Sequence, residues 1–150
     1  MNATVAAANP NCDVYVSESD MSFWIVVVEA PSESPYAGGI FALYLHMDEQ
    51  YPAFAPKARF TTQIHHPNVN RHGRICHSLF DRNWTSDTTI SQVMDTIYGL
   101  LVIPEFSDPV NAVMTLNGDP VAFREEVQQS IEKHAKKTRA QWKAELMGSE

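Results

Sequence analysis

The hydrophobic pattern of this chain changes period once, and that change constrains its fold more than any other feature. Up to residue 61 the apolar residues fall in short β-branched and aromatic runs with no helical spacing. Two are strong: Phe23-Trp24-Ile25-Val26-Val27-Val28 and Ile40-Phe41-Ala42-Leu43-Tyr44-Leu45-His46-Met47. Val14-Tyr15-Val16 and Lys57-Ala58-Arg59-Phe60-Thr61 are weaker. The stretch from Pro31 to Gly39 holds two prolines and two glycines, and the stretch from Tyr51 to Pro56 holds two more prolines. Short punctuated connections between successive strands predict a four-stranded antiparallel meander rather than a parallel sheet. From residue 90 the period becomes helical. Ile90, Val93, Met94, Ile97, Leu100 and Leu101 lie on one face of a helix, and Thr89 with Gln92 has capping-box spacing at its start. A second helix begins at Asp119-Pro120, a capping residue followed by proline at the first helical position. Its apolar face is Phe123, Val127 and Ile131, and Trp142 and Leu146 extend the same stripe. The fold class is therefore α+β: a meander, a long loop over 61–88, then C-terminal helices, all in one domain over 1–150. Loops that long inside compact domains are usually functional.

Charge narrows the partners. The net charge is −7, and all of it arises in the first 56 residues, which hold seven acids and no lysine or arginine. The rest balances eleven acids with eleven bases, five of them (Lys133, Lys136, Lys137, Arg139, Lys143) crowding the C-terminal segment as a solvated helix face. An acidic chain gains little from phosphate attraction, which argues against nucleic acid as a partner. No apolar run approaches the ~20 residues of a membrane span. Met1-Asn2-Ala3-Thr4-Val5 has neither the basic nor the apolar region of a secretory signal. The two cysteines, Cys12 and Cys76, give no disulfide framework. The expectation is a reduced, cytoplasmic or nuclear protein.

Cys76 lies in the long loop between Asn70-Arg71-His72-Gly73-Arg74 and Asp81-Arg82-Asn83, eight residues after His66-Pro67-Asn68 and eight before Trp84. Arg71, Arg74 and Arg82 make its surroundings electropositive, the setting of reactive thiols. Four chemistries stand open on these residues. A hydrolytic Cys-His pair would need one of His65, His66, His72 or His77 within hydrogen-bond reach and oriented by a third group. A metal site would need paired ligands at short spacing, and one thiol among scattered histidines does not supply them. An inert buried cysteine is common, although a polar loop is an odd place for one. A thiol that accepts and passes on an activated acyl group needs an oxyanion donor, for which the Asn68 amide is suited. It also needs a carboxylate to orient an attacking amine, and Asp108 is a candidate.

From about residue 21 to 110 the chain resembles the ubiquitin-conjugating enzyme family. The residues behind this are Ser34-Pro35-Tyr36-Ala37-Gly38-Gly39-Ile40-Phe41, Tyr51-Pro52 with Pro56-Lys57, and His66-Pro67-Asn68. Gly73-Arg74-Ile75-Cys76, Trp84, Thr89-Ile90-Ser91 and Asp108-Pro109 follow in order without a gap. The resemblance implies that Cys76 holds the ubiquitin C-terminus as a thioester. Asn68 would stabilise the oxyanion or brace the loop, and Asp108 would stand where an acceptor lysine approaches. His66, Pro67 and Trp84 are then structural loop residues, with His66 bonding backbone, and Tyr36 and Phe41 are packing. The implied partners are ubiquitin or a ubiquitin-like protein, an activating enzyme, a ubiquitin ligase and a protein substrate, with no cofactor and no metal.

Several positions depart from the family pattern. The family usually begins with a basic amphipathic helix that helps dock the activating enzyme; here about a dozen residues precede Val14. Residues 1–12 are expected to be poorly structured or a remnant helix, and bare sheet surface would favour self-association. The ligase-facing candidates are unusual: Ala53 and Phe54 after Tyr51-Pro52, and Thr85-Ser86-Asp87 after Trp84. Ser78 stands where an acid is frequent, and Asp95 and Gly99 are unusual on the helix that would face donor ubiquitin. A catalytically impaired binding module, or a carrier of a ubiquitin-like modifier, is the alternative to an active conjugating enzyme.

Overall fold

Strands and helices appear where the period change puts them. The computed structural model describes residues 2–5, 9–17, 19–106 and 119–147. Strands β1 (Asn2–Val5), β2 (Cys12–Ser17), β3 (Phe23–Glu29), β4 (Ile40–His46) and β5 (Lys57–Phe60) form one antiparallel sheet in sequence order. A 3-10 turn (Ser78–Phe80) follows, then helices α1 (Ile90–Val102), α2 (Pro120–His134) and α3 (Arg139–Met147). No described helix is long and apolar enough to cross a membrane.

The four expected strands are β2 to β5, and their register sorts side chains onto two faces. Val14 lies across from Val26, Val26 from Leu43 and Leu43 from Phe60, a row crossing four strands. All four are buried in one cluster with Val93, Ile97, Leu100 and Leu101 of α1 and Val127 and Ile131 of α2. Each such side chain contributes about 1.5–3 kcal/mol on burial. Thr89 and Gln92 exchange side-chain and backbone bonds at the start of α1, and the Asp119 side chain accepts from Val121 N–H at the start of α2.

Two expectations need correction. The described part of residues 1–12 is neither unstructured nor a remnant helix: Asn2–Val5 pairs with β2, Asn2 across from Ser17 and Val5 from Val14, and supplies a fifth, outer strand. An open strand edge carries unpaired N–H and C=O groups, and pairing satisfies them. The stripe from Phe123 to Leu146 is also not continuous. The helix stops at His134, and the chain restarts where Thr138 and Gln141 exchange hydrogen bonds of 2.8 and 3.1 Å, the reciprocal pattern of a capping box. Trp142 and Leu146 therefore sit on α3, which packs on the opposite face of the sheet against Tyr15, Val27 and Ala42. Arg139 fixes α3 there by a bidentate pair to Asp13 (2.7 and 2.8 Å), and Trp142 Nε1 donates to the Ile40 carbonyl at 2.8 Å.

Candidate active site

The loop over 61–88 is irregular but tied to the sheet. Asn70 folds its first part, its side-chain oxygen accepting from the N–H groups of His72 (2.9 Å) and Arg74 (3.0 Å). Gly73 then turns with φ of +87°, and an added Cβ would lie 2.2 Å from the Phe60 carbonyl oxygen. Only glycine fits so close an approach. The Gly73 carbonyl in turn accepts from Phe60 N–H at 2.8 Å. Arg74 and Ile75 bridge to Arg59 and Val69. Cys76 follows, with its N–H donated to the Asn68 carbonyl at 2.8 Å.

Among the described residues its thiol makes one weak hydrogen bond, from Sγ to the Arg74 carbonyl at 3.9 Å, and it is partly exposed. It opens into a cleft of about 580 Å³ whose lining includes Asn68, Arg74, His77, Arg82 and Glu105. Cys12, by contrast, is buried in β2, and burial pushes its thiol up to about 11.

None of the four nearby histidines bonds the thiol. Buried His66 donates from Nε2 to the Leu100 carbonyl (2.8 Å) and accepts at Nδ1 from Asn68 N–H (2.9 Å). That pairing fixes the neutral tautomer, and burial drives its pKa down to about 4. Tyr36 stacks on its ring and donates its hydroxyl to the His65 carbonyl at 2.6 Å. His65 Nε2 lies 2.8 Å from Glu126 Oε2, at ion-pair distance but out of line for a hydrogen bond. His72 accepts from Arg71. His77 accepts at Nδ1 from Leu79 N–H (3.0 Å), and its Nε2 lies 3.6 Å from Glu105 Oε1. A hydrolytic Cys-His pair is therefore not assembled.

Asn68 is buried, and both ends of its amide are engaged. Its Nδ2 donates to the Glu105 carbonyl at 2.9 Å, and its Oδ1 accepts from Glu105 N–H at 3.0 Å. This geometry is that of a brace tying the segment after α1 to the thiol loop. Pro67, also buried, completes the turn between His66 and Asn68. Asp108 lies outside the described residues.

The ligase-facing candidates gather elsewhere. Trp84 Nε1 donates to the Pro52 carbonyl at 2.8 Å, and its ring packs near Tyr51. This joins the loop carrying Ala53 and Phe54 to the one carrying Thr85, Ser86 and Asp87. All five are exposed, Phe54 by 63%. Asp95 and Gly99 are exposed one turn apart on α1, outside the cleft lining. Sequence reasoning missed Glu105. Between Asp95 and Asp119 the chain carries only two acids, Glu105 and Asp108, and that scarcity was the available signal.

A meander covered by α1 and α2 on one face and α3 on the other, with an accessible thiol on a braced loop, is a scaffold that presents a cysteine. The chain belongs to the ubiquitin-conjugating enzyme family, whose sequence pattern matches residues 2–137. It is 39% identical over 140 residues to a probable bifunctional E2/E3 enzyme of Acanthamoeba polyphaga mimivirus, covering 92% of this chain and 11% of that protein. It is 41% identical over 93 residues to ubiquitin-conjugating enzyme E2 13 of Saccharomyces cerevisiae, covering 62% of this chain and 61% of that one. The chain thus spans less than two-thirds of the length of either relative. Helix α3 lies beyond the matched residues.

Proposed function

We propose that this domain accepts ubiquitin from an activating enzyme as a thioester on Cys76 and transfers it to an acceptor lysine, usually with a ligase. The observation that carries the reading is the thiol itself: partly exposed, bonded by no side chain among the described residues, and open to a cleft with room for a donor tail and an incoming amine. The Cys76 thiolate attacks the activated carbonyl, and the departing thiol belongs to the activating enzyme. In the second step an amine attacks the Cys76 thioester and the Cys76 sulfur leaves. No strong dedicated base is needed, because the acyl group arrives already activated.

Asn68 acts in this scheme as a positioning residue, because its amide is committed to the Glu105 backbone. The gateway role of Asp108 rests on the family resemblance. The joined loops of Phe54 and Thr85-Ser86-Asp87 are the surface offered to a ligase, and exposed Asp95 and Gly99 are the surface offered to donor ubiquitin. A free catalytic thiol suits a reducing compartment, cytoplasm or nucleus. Incubation with activating enzyme, ATP and ubiquitin, read on a non-reducing gel, tests the reading. A thiol-sensitive adduct is expected. Its absence for ubiquitin and its appearance with a ubiquitin-like protein would change the modifier, and its absence for all of them would sink the reading.

A further inference from the structure

We infer that His77 supplies the oxyanion donor: its ring N–H bonds the thioester carbonyl oxygen as negative charge develops there during exchange at Cys76. The inference rests on the proposed function of Cys76, and it fills a role that Asn68 leaves open.

Acyl transfer is fastest when a fixed hydrogen-bond donor meets the carbonyl oxygen as it becomes an anion. Asn68 is buried, and its amide is bonded at both ends to the Glu105 backbone. Turning that amide toward an acyl group would break the brace.

His77 offers what is missing. It follows Cys76 directly and lines the same cleft. Its Nδ1 accepts from Leu79 N–H at 3.0 Å and so caps the 3-10 turn, which leaves the proton of the neutral ring on Nε2. Glu105 Oε1 lies 3.6 Å from Nε2, beyond the ~3.2 Å reach of a good N–H···O bond. The cap and the nearby carboxylate thus orient the ring, while its Nε2 proton has no hydrogen-bond partner among the described residues. The side chain is only 20% exposed, which limits competition from water. The His77 backbone N–H makes no hydrogen bond among the described residues either. The N–H of the residue after a nucleophile is a recurrent oxyanion donor, so one residue offers two.

Other cleft donors are held less firmly. Arg74 and Arg82 are exposed, and fixing either long side chain in one geometry costs conformational entropy. Ser78 Oγ accepts from Asn83 Nδ2 at 2.9 Å, but its hydroxyl hydrogen can turn. Ser78 is the rival that an experiment has to separate.

In discharge, a lysine ammonium first gives up one proton to solvent. The amine lone pair adds to the thioester carbonyl carbon, and the C=O π pair moves onto oxygen. His77 Nε2–H bonds that oxyanion and keeps its own proton. The oxyanion collapses, the C–S bond breaks, and the Cys76 thiolate takes up the second proton lost by nitrogen. The balance is lysine ammonium plus thioester giving isopeptide amide, Cys76 thiol and one proton. Loading passes through the same oxyanion, with the Cys76 thiolate attacking and the activating enzyme's thiolate leaving.

The test uses His77→Ser, because serine also accepts at an N-cap while its hydroxyl stops well short of the ring's outer nitrogen. Wild type, His77→Ser and Ser78→Ala are charged with ubiquitin, the activating enzyme is quenched, and thioester decay is followed with free lysine or with hydroxylamine. Rates are read per charged molecule. His77→Ser is expected to slow both nucleophiles alike, by about tenfold or more, with Ser78→Ala within about twofold of wild type. Hydrogen exchange at the Leu79 amide should be unchanged in His77→Ser, since the cap is kept. Unchanged discharge, slowing confined to lysine, or slowing that comes with faster Leu79 exchange would each overturn the inference. A larger loss in Ser78→Ala than in His77→Ser would do so too. In wild type, nitrogen NMR at pH ~8, where an ordinary histidine is neutral, should find the His77 proton on Nε2, and a proton on Nδ1 would also overturn it. If wild type itself forms no thioester, it is the reading of Cys76 that fails.

Discussion

Acidification should destabilise this domain through His66, and the size of the effect follows from its environment. In the folded chain the imidazole is buried, donates to Leu100 and accepts from Asn68, and its pKa is held near 4 instead of 6.5. Protonation would destroy the acceptor at Nδ1 and leave a charge without water. The folded value is depressed, so the stability tied to the neutral ring is fully present above pH ~6.5 and is lost as pH falls toward ~4, where the folded ring also protonates. At ~1.4 kcal/mol per unit, about 2 kcal/mol disappears between pH ~7.5 and ~5, and about 3 kcal/mol by pH ~4. Asp20 and Asp48 also have depressed values, lowered by hydrogen bonds to Ser22 and to Gln50 and Lys57, so both lie below this window. Urea denaturation at pH ~7.5 and ~5 should show the loss in wild type. His66→Gln should be less stable at the higher pH yet lose much less between the two. Where that variant does not fold, proton NMR of the wild-type imidazole gives the same answer: its signal should stay that of neutral histidine to about pH 5. Titration near 6.5, or an equal loss in both proteins, would refute the reasoning.

Two other substitutions probe the site's support. Gly73→Ala should cost about 2–4 kcal/mol, since it adds a side chain at positive φ and pushes a Cβ into the Phe60 carbonyl; thermal melts and charging rates should fall together, and a neutral result would mean the turn is free to open. Asn68→Ala removes two hydrogen bonds to Glu105 and should cost about 2 kcal/mol. Hydrogen exchange at the Glu105 amide should quicken, and an unchanged rate would mean Asn68 is not its brace.

Much of this architecture is legible in the amino-acid order because local signals and tertiary demands agree there. The β-branched runs became β3 and β4, the Thr89–Gln92 spacing capped α1, and Asp119-Pro120 opened α2. Strand β1 was hidden because four residues carry too little pattern of their own and pair only because the edge of β2 is open. The break between α2 and α3 was hidden by arithmetic. Ile131 and Trp142 are eleven residues apart, close to three helical turns, so the apolar stripe stays in phase across a gap that sends Trp142 to the other face of the sheet. At the site, Cys76 and Asn68 stand in a local motif. Glu105 enters through a contact spanning 37 residues, which no spacing rule anticipates.

The central claim, an acyl group carried on Cys76, is tested most directly by Cys76→Ser. An oxygen nucleophile at the same place should trap the donor as an ester. The account predicts that wild type forms an adduct released by thiol, that Cys76→Ser forms one that resists thiol and yields to mild alkali, and that Cys12→Ala behaves as wild type. An adduct of the same mass in Cys76→Ala, or a wild-type adduct that survives thiol, would contradict it.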